Sequence, residues 1–194
     1  MGTPQETQQL KKTFIDHWRQ YRHDLLNQIQ LVQGYLQLGR LQDVQRYIDQ
    51  IVVRARQEAL LSRLSDPDLV YDLLTYNYQP RPFELDLEMA LEAEDLDEIG
   101  KRENWIHLFK KLMELFESVY VPDEHESRQP LFVLVDRDEE LLSIKAEWRG
   151  KWDWETGKVL IPALREKVLK EQGKLVEQLD AEQLLIEIRL PWPS

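Results

Sequence analysis

From Gln8 to Leu38 the apolar residues Leu10, Phe14, Trp18, Tyr21, Leu25, Ile29, Val32 and Leu36 recur at steps of three and four. That spacing predicts one long helix with a single apolar stripe. Gly39-Arg40 ends the pattern, glycine being the usual residue just past a helix end. A second helical run follows through Leu41, Val44, Ile48, Ile51, Ala55, Leu60 and Leu64. Two long helices joined by so short a turn lie antiparallel. A lone hairpin leaves its apolar face wet, so the pattern predicts pairing with a second copy into a four-helix bundle.

Beyond the hairpin the elements alternate. Ser65-Asp66-Pro67 reads as a helix stop and a new N-cap with Pro in the first turn, opening a helix over Asp68 to Tyr76. Phe83 to Met89 alternates as a strand, and a longer helix is expected from Asp97 to Val119. Strands near Leu131 to Asp136 and Leu141 to Trp148 come next. A helix from Pro162 to Glu171 and strands at Lys174 to Leu179 and Leu184 to Leu190 complete the chain. Gln79 to Pro82 and Val121 to Pro130 read as surface loops. The expected fold class is α+β: a helical hairpin over residues 1–64, then an α/β sandwich over 65–194.

Composition narrows the function. The chain of 194 residues is 42% hydrophobic, enough for a buried core, and has no cysteine, which excludes disulfides and thiolate chemistry. No apolar run approaches the roughly 20 residues of a membrane span, and the N-terminus has no secretory leader pattern; a cytoplasmic protein is expected. A net charge of −11 argues against nucleic acid, whose phosphates need a basic surface. Residues 1–64 hold nine Lys/Arg and six Asp/Glu, whereas the remainder holds sixteen and thirty. A solvated helix surface explains the mildly basic segment, which would also suit an acidic partner.

With Leu25 at zero on a helical wheel, the stripe lies within about 60° and His23 near 160°, on the solvent side. Asn27, one turn on, and Gln30 extend a polar strip beside it. A neutral imidazole leaves one ring nitrogen free to attack, and Arg22 and Arg19 flank the strip where phosphoryl oxygens would sit. Periodicity by itself describes an ordinary surface histidine.

The run from Tyr21 to Leu38 carries more: Arg22-His23-Asp24, Asn27 four residues after the histidine, Gln30 seven after, Gly34 eleven after and Leu36 thirteen after. It resembles the phosphoacceptor helix of the sporulation initiation phosphotransferase B family, and is similar to the corresponding helix of citrate/fumarate-type sensor histidine kinases. The resemblance continues through Ala59 to Leu64, Pro67-Asp68-Leu69 and Leu73 to Asn77. It implies a phosphorylated His23 supported by Asp24 and Asn27, a homodimeric four-helix bundle, and a second domain shaped like a kinase ATPase domain. It further implies response-regulator receiver domains as partners, one giving the phosphoryl group from an aspartate and another receiving it. Asp24, as the i+1 neighbour, does not share the histidine's face and is expected to reach the imidazole only from the side.

What the second domain lacks is equally informative. A kinase of that kind carries an Asn-rich helix and Gly-rich loops around ATP. Here the corresponding helix, Trp105 to Phe116, has no Asn, and no Gly-x-Gly occurs. Gly150 to Lys158 imitates a P-loop, but its glycines are seven apart and Val159 stands where a hydroxyl residue would meet magnesium. The second domain is therefore expected to lack a nucleotide site, the protein to have no cofactor of its own, and Mg2+ to reside on the partner regulator. No metal-site spacing occurs. His17 is expected half-buried at the stripe's edge, His107 in a packing role, and His125 in a charged loop. The acidic run Glu92 to Glu98 reads as a solvated surface, and Trp148, Trp152 and Trp154 as packing around a hairpin turn.

The expected function is a histidine phosphotransferase that moves a phosphoryl group between regulator aspartates through phospho-His23, in the initiation of sporulation and without ATP. Two alternatives stand beside it: a cytosolic sensor histidine kinase with a degenerate ATP site, and a non-enzymatic dimeric scaffold for response regulators.

Overall fold

The computed structural model describes residues 4–99, 103–122 and 128–192; of residues 4–7 and 10 it describes the backbone alone. His125 and the stripe's Leu10 side chain lie outside that description. The chain forms two compact units, Met1–Arg56 and Gln57–Ser194.

The first unit is built on helix α1, Pro4–Gln37, and helix α2, Leu41–Leu61, whose last residues belong to the second unit. Their junction is a glycine-terminated cap. Gly39 takes φ 68°, a conformation that costs glycine little. The Arg40 N–H donates to Tyr35 O at 2.9 Å and the Gly39 N–H to Leu36 O at 3.0 Å, which satisfies carbonyls the helix end would otherwise orphan. The Arg40 guanidinium lies 5.1 Å from the centre of the Tyr35 ring, and Tyr35 meets Tyr47 edge to face at 6.4 Å. The chain thus doubles back across its turn. The stripe itself stays open: Phe14 is 65% exposed, Trp18 53%, Leu25 40% and Ile29 45%.

The second unit is a two-layer α+β structure. Helix α3 (Pro67–Thr75) leads through a 3-10 turn (Tyr76–Tyr78) to strand β1 (Glu84–Ala90), then to helices α4 (Ala93–Ile99) and α5 (Glu103–Val119). Strands β2 (Pro130–Asp138) and β3 (Leu141–Arg149), helix α6 (Trp154–Lys170) and strands β4 (Lys174–Leu179) and β5 (Gln183–Pro191) follow. The sheet order is β1-β2-β3-β5-β4, with β1 parallel to β2 and the other pairs antiparallel. Alternation sends Leu131, Val133, Val135, Ile144, Ala146, Ile186 and Ile188 inward against Leu108, Phe109, Leu112, Phe116, Leu164 and Val168. The other face carries Phe132, Lys145, Glu147, Glu187 and Arg189.

Two side-chain devices hold the entry to this unit. Asp66 caps α3 by accepting from the N–H groups of Asp68 and Leu69, both at 2.9 Å. Asn77 clamps Leu85 of β1 from both sides: its amide donates to Leu85 O at 2.9 Å, and its oxygen accepts from Leu85 N at 2.7 Å. The clamp occupies backbone groups that an edge strand would otherwise present to another chain.

Several local expectations change. The single helix foreseen over Asp97 to Val119 is two, α4 and α5. The acidic run Glu92 to Glu98 lies mostly on α4, with Glu92, Glu94, Asp97 and Glu98 exposed as a solvated surface around the buried Leu96. Helix α6 begins eight residues before Pro162, at Trp154. Asp153 caps it through Glu155 N at 2.9 Å and Thr156 N at 3.2 Å, and the exposed Pro162 is tolerated inside. The tryptophans do not surround a hairpin turn. Trp148 is the penultimate residue of β3 and lies in the core, Trp152 forms an isolated bridge with Tyr120, and Trp154 opens α6. His107 is exposed between the buried pairs Trp105-Ile106 and Leu108-Phe109, so it packs against nothing in the core.

Candidate functional site

The outer side of α1 carries the candidate site. His23 is 66% exposed in its side chain and Asp24 38%. Asp24 Oδ1 lies 3.3 Å from His23 Nδ1, and Asn27 Nδ2 lies 3.2 Å from the same nitrogen. Gln20, one turn before Asp24, donates from Nε2 to Asp24 Oδ1 at 3.2 Å. Helical geometry produces this arrangement: residues four apart stack along one face, while an i+1 carboxylate reaches in from the side. His23 Nε2 has no hydrogen-bond partner among the described residues.

These contacts constrain the ring's chemistry. A bond from Nδ1–H to the Asp24 carboxylate requires the proton on Nδ1, which leaves the Nε2 lone pair exposed and nucleophilic. A bond from the Asn27 amide to Nδ1 requires the opposite tautomer, with the proton on Nε2. The two contacts therefore compete for one atom. Arg19 is engaged by Asp16 at 2.9 Å, whereas Arg22 is exposed and has no ion-pair partner among the described residues. Gln30 is exposed, and Gly34 has open space where a Cβ would stand. His17 is half-buried at the edge of the stripe.

The structure thus brings His23, Asp24 and Asn27 into contact and leaves Arg22 beside them. Gln20 is the residue that the sequence reading missed. Its signal was present, since it stands at i−4 from Asp24, but an exposed glutamine on a helix draws no attention without the carboxylate's rotamer.

In the second unit a cleft of about 210 Å³ between α3 and α5 is lined by Leu69, Leu73, Tyr76, Phe109, Met113 and Glu117, among others. Its polar groups satisfy one another. Tyr76 donates to Glu117 Oε1 at 2.9 Å, Arg81 meets both Glu117 oxygens at 3.2 and 3.1 Å, and Lys110 pairs with Asp66 at 2.9 Å. Burial, reinforced by the Glu117 carboxylate, pushes the Tyr76 hydroxyl well above its ordinary range, so it stays a protonated donor. Helix α5 starts at Glu103 and so includes Asn104, which the span Trp105 to Phe116 left out. Its amide donates to Glu171 Oε2 at 2.9 Å and its oxygen accepts from Trp105 N. The P-loop imitation is likewise structural: Gly157 lies buried in α6 with the Trp152 ring against it.

Among the described residues there is no group of three or more His, Asp or Glu placed to hold a metal ion, and no helix long and apolar enough to cross a membrane. Residues 4–64 match the family described as sensor kinase SpoOB-type, alpha-helical domain. The chain is 30% identical over 129 residues to sporulation initiation phosphotransferase B of Bacillus subtilis (strain 168), an alignment covering 66% of this chain and 66% of that protein, just short of two thirds. Among solved structures it is similar to Acinetobacter baumannii histidine kinase AdeS, at 13% identity and TM-score 0.42 over 89% of this chain and 98% of that one. It is also similar to the Erythrobacter litoralis EL346 blue-light activated histidine kinase, at 12% identity and TM-score 0.43 over 70% of this chain and 41% of that one. Likeness at that level says nothing of activity. The shared helical domain and the aligned relative settle the family: the chain belongs to the sporulation initiation phosphotransferase B family.

Proposed function

We propose that this protein is a histidine phosphotransferase of a phosphorelay, acting in the initiation of sporulation, and that His23 is its phosphoacceptor. The observation that carries the reading is the His23 ring itself: exposed, with the Asp24 carboxylate within reach of Nδ1 and no partner at Nε2 among the described residues. Membership of the phosphotransferase family supports it. The Nε2 lone pair attacks the phosphorus of a regulator's aspartyl phosphate, so that an N–P bond forms while the P–O bond to the aspartate breaks and its carboxylate leaves. The ring, still protonated at Nδ1, becomes cationic, and Asp24 lies where it offsets that charge. The reverse step delivers the phosphoryl group to the aspartate of a second regulator. Arg22, exposed and next to His23 in sequence, is the cation assigned to meet the transferring oxygens. Magnesium belongs to the regulator, and the reading needs neither a cofactor of this chain nor ATP.

The active form is a homodimer in the cytoplasm. The exposed stripe from Phe14 to Leu36 is an apolar surface of the kind that marks an interface, and a second copy covers it in a four-helix bundle. Residues 1–64 serve as the dimerisation and acceptor segment, and residues 65–194 as the domain that accompanies it.

The test mixes the purified protein with a panel of phosphorylated receiver domains and follows labelled phosphate. Acid-labile, base-stable label on His23, passed on to a second receiver domain, is the expected result. Label acquired from ATP alone would instead establish a kinase, and regulators bound without any transfer would establish a scaffold.

A further inference from the structure

We propose that Gln20 is a positioning residue for His23, holding Asp24 against the ring and so setting how much of the imidazole keeps its proton on Nδ1. The inference rests on the reading of His23 as phosphoacceptor and deepens it. Asp24 is adjacent to His23 in sequence, and its Cβ leaves the helix about 100° away. Asp24 Oδ1 reaches the ring from the side, and a partly exposed carboxylate loses rotamer freedom by staying there. Gln20 supplies the second anchor. Its Nε2 donates to the same Oδ1 at 3.2 Å that lies 3.3 Å from His23 Nδ1. The carboxylate oxygen is thereby shared by two donors on one helical face, a Gln-Asp pair at i,i+4 and a ring N–H at i−1.

The opposing pull comes from Asn27. Its amide, 3.2 Å from Nδ1, donates only to a ring whose proton has moved to Nε2, and that tautomer has no nucleophilic lone pair facing solvent. Gln20 through Asp24 and Asn27 directly therefore bias one tautomeric equilibrium in opposite senses, each from one helical turn away. Gln20 touches neither the reacting nitrogen nor the incoming phosphorus. It acts through Asp24.

The experiment uses the full chain labelled with 15N-histidine, at a pH where the His23 ring is neutral, with ring-nitrogen NMR shifts reporting the ratio of Nδ1–H to Nε2–H. Gln20→Met keeps the length and helix preference of glutamine but has no donor. It is expected to lower the ratio by about two-fold, the worth of one exposed i,i+4 hydrogen bond, and to lower the rate of phosphoryl uptake in proportion to the Nδ1–H fraction, by at most about two-fold. Gln20→Lys, which restores a donor to Asp24, is expected to return both toward wild type. An unchanged ratio in Gln20→Met overturns the proposal, whatever happens to the rate. So does a fall that Gln20→Lys fails to reverse. If wild type takes up no phosphate at all, the phosphotransferase reading fails, while the tautomer ratio in the unphosphorylated protein still decides the role of Gln20.

Discussion

His23 Nδ1 and Asp24 Oδ1 stand 3.3 Å apart on the open side of α1, so the carboxylate meets one ring nitrogen and leaves Nε2 open. Under the proposed function the arrangement separates two jobs between neighbouring residues: the ring would transfer the group, and the carboxylate would hold the ring and offset its charge. His23→Gln removes the first and leaves the helix intact. Phosphoryl uptake is expected to disappear, with a stability change under about 0.5 kcal/mol, as for an exposed residue making few contacts. Thermal melts and label uptake check both halves. Uptake that survives His23→Gln but stops in His17→Gln or His107→Gln would move the acceptor elsewhere.

Leu25 lies at the centre of the exposed stripe, a half-turn around the helix from His23. Covering such a leucine in a dimer stabilises it by about 1.5–3 kcal/mol, and a carboxylate there would be buried unpaired. Leu25→Glu should yield monomer or aggregate by light scattering, with phosphotransfer falling in parallel. A folded Leu25→Glu monomer that transfers at the wild-type rate would refute the shared bundle.

Calorimetric titration with Mg-ATP is expected to show no micromolar binding. The Asn104 side chain is engaged by Glu171, and Gly157 is packed under Trp152, where its backbone does not offer the close approach that a nucleotide phosphate requires. A well-formed binding isotherm in that range would restore the degenerate-kinase reading.

Asp66→Ala should destabilise the protein by about 1 kcal/mol through loss of the α3 cap. The Leu69 N–H first, and the Lys110 ammonium after it, hold the Asp66 carboxyl below the usual carboxylate range. A depressed folded value stabilises the ionised form. The contribution is therefore complete above the unfolded pKa of about 3.9 and is lost as pH falls through the lower folded value. The difference in Tm between wild type and Asp66→Ala should be steady at neutral pH and shrink below about pH 4. A difference that grows on acidification would contradict this.

Gly157→Ala sets helix preference against packing. Alanine improves an α-helix interior by about 0.8–1 kcal/mol over glycine, yet its Cβ would stand 2.4 Å from Trp152 Cζ3. That ring cannot step aside easily, because its Nε1 is bonded to Asp180 O at 2.8 Å. Overpacking of this kind costs about 1–3 kcal/mol, so the variant should be less stable by denaturant melt, and its phosphotransfer unchanged.

Features governed by near neighbours were legible in the residues alone. The three-four spacing of Phe14, Trp18, Tyr21 and Leu25 demands a helix with one apolar side, Gly39 permits the left-handed residue that ends it, and Asp66-Pro67 starts the next helix. His23 faces solvent for the same reason, because its angle from the stripe follows from helical rise and twist. The family pattern from Arg22 to Leu36 is linear, so it too could be read without coordinates.

What only the tertiary structure decided depends on atoms distant in sequence or on rotamers. Pro162 invites a helix start at itself, but the Asp153 cap and the packing of Trp152 against Gly157 place the start of α6 a full two turns earlier. The spacing of Gly150 and Gly157 already speaks against a P-loop, but that the Trp152 ring packs against the buried Gly157 can be seen only in the fold. The clamp of Asn77 on Leu85 and the parallel pairing of β1 with β2 join segments that no local periodicity connects. At the site itself, helical periodicity brings His23, Asp24, Asn27 and Gln20 to neighbouring positions, but it does not say which oxygen faces which nitrogen. That choice belongs to side-chain rotamers and shared hydrogen bonds, whose energies of a few tenths to about 1 kcal/mol are resolved only when all four side chains are placed together.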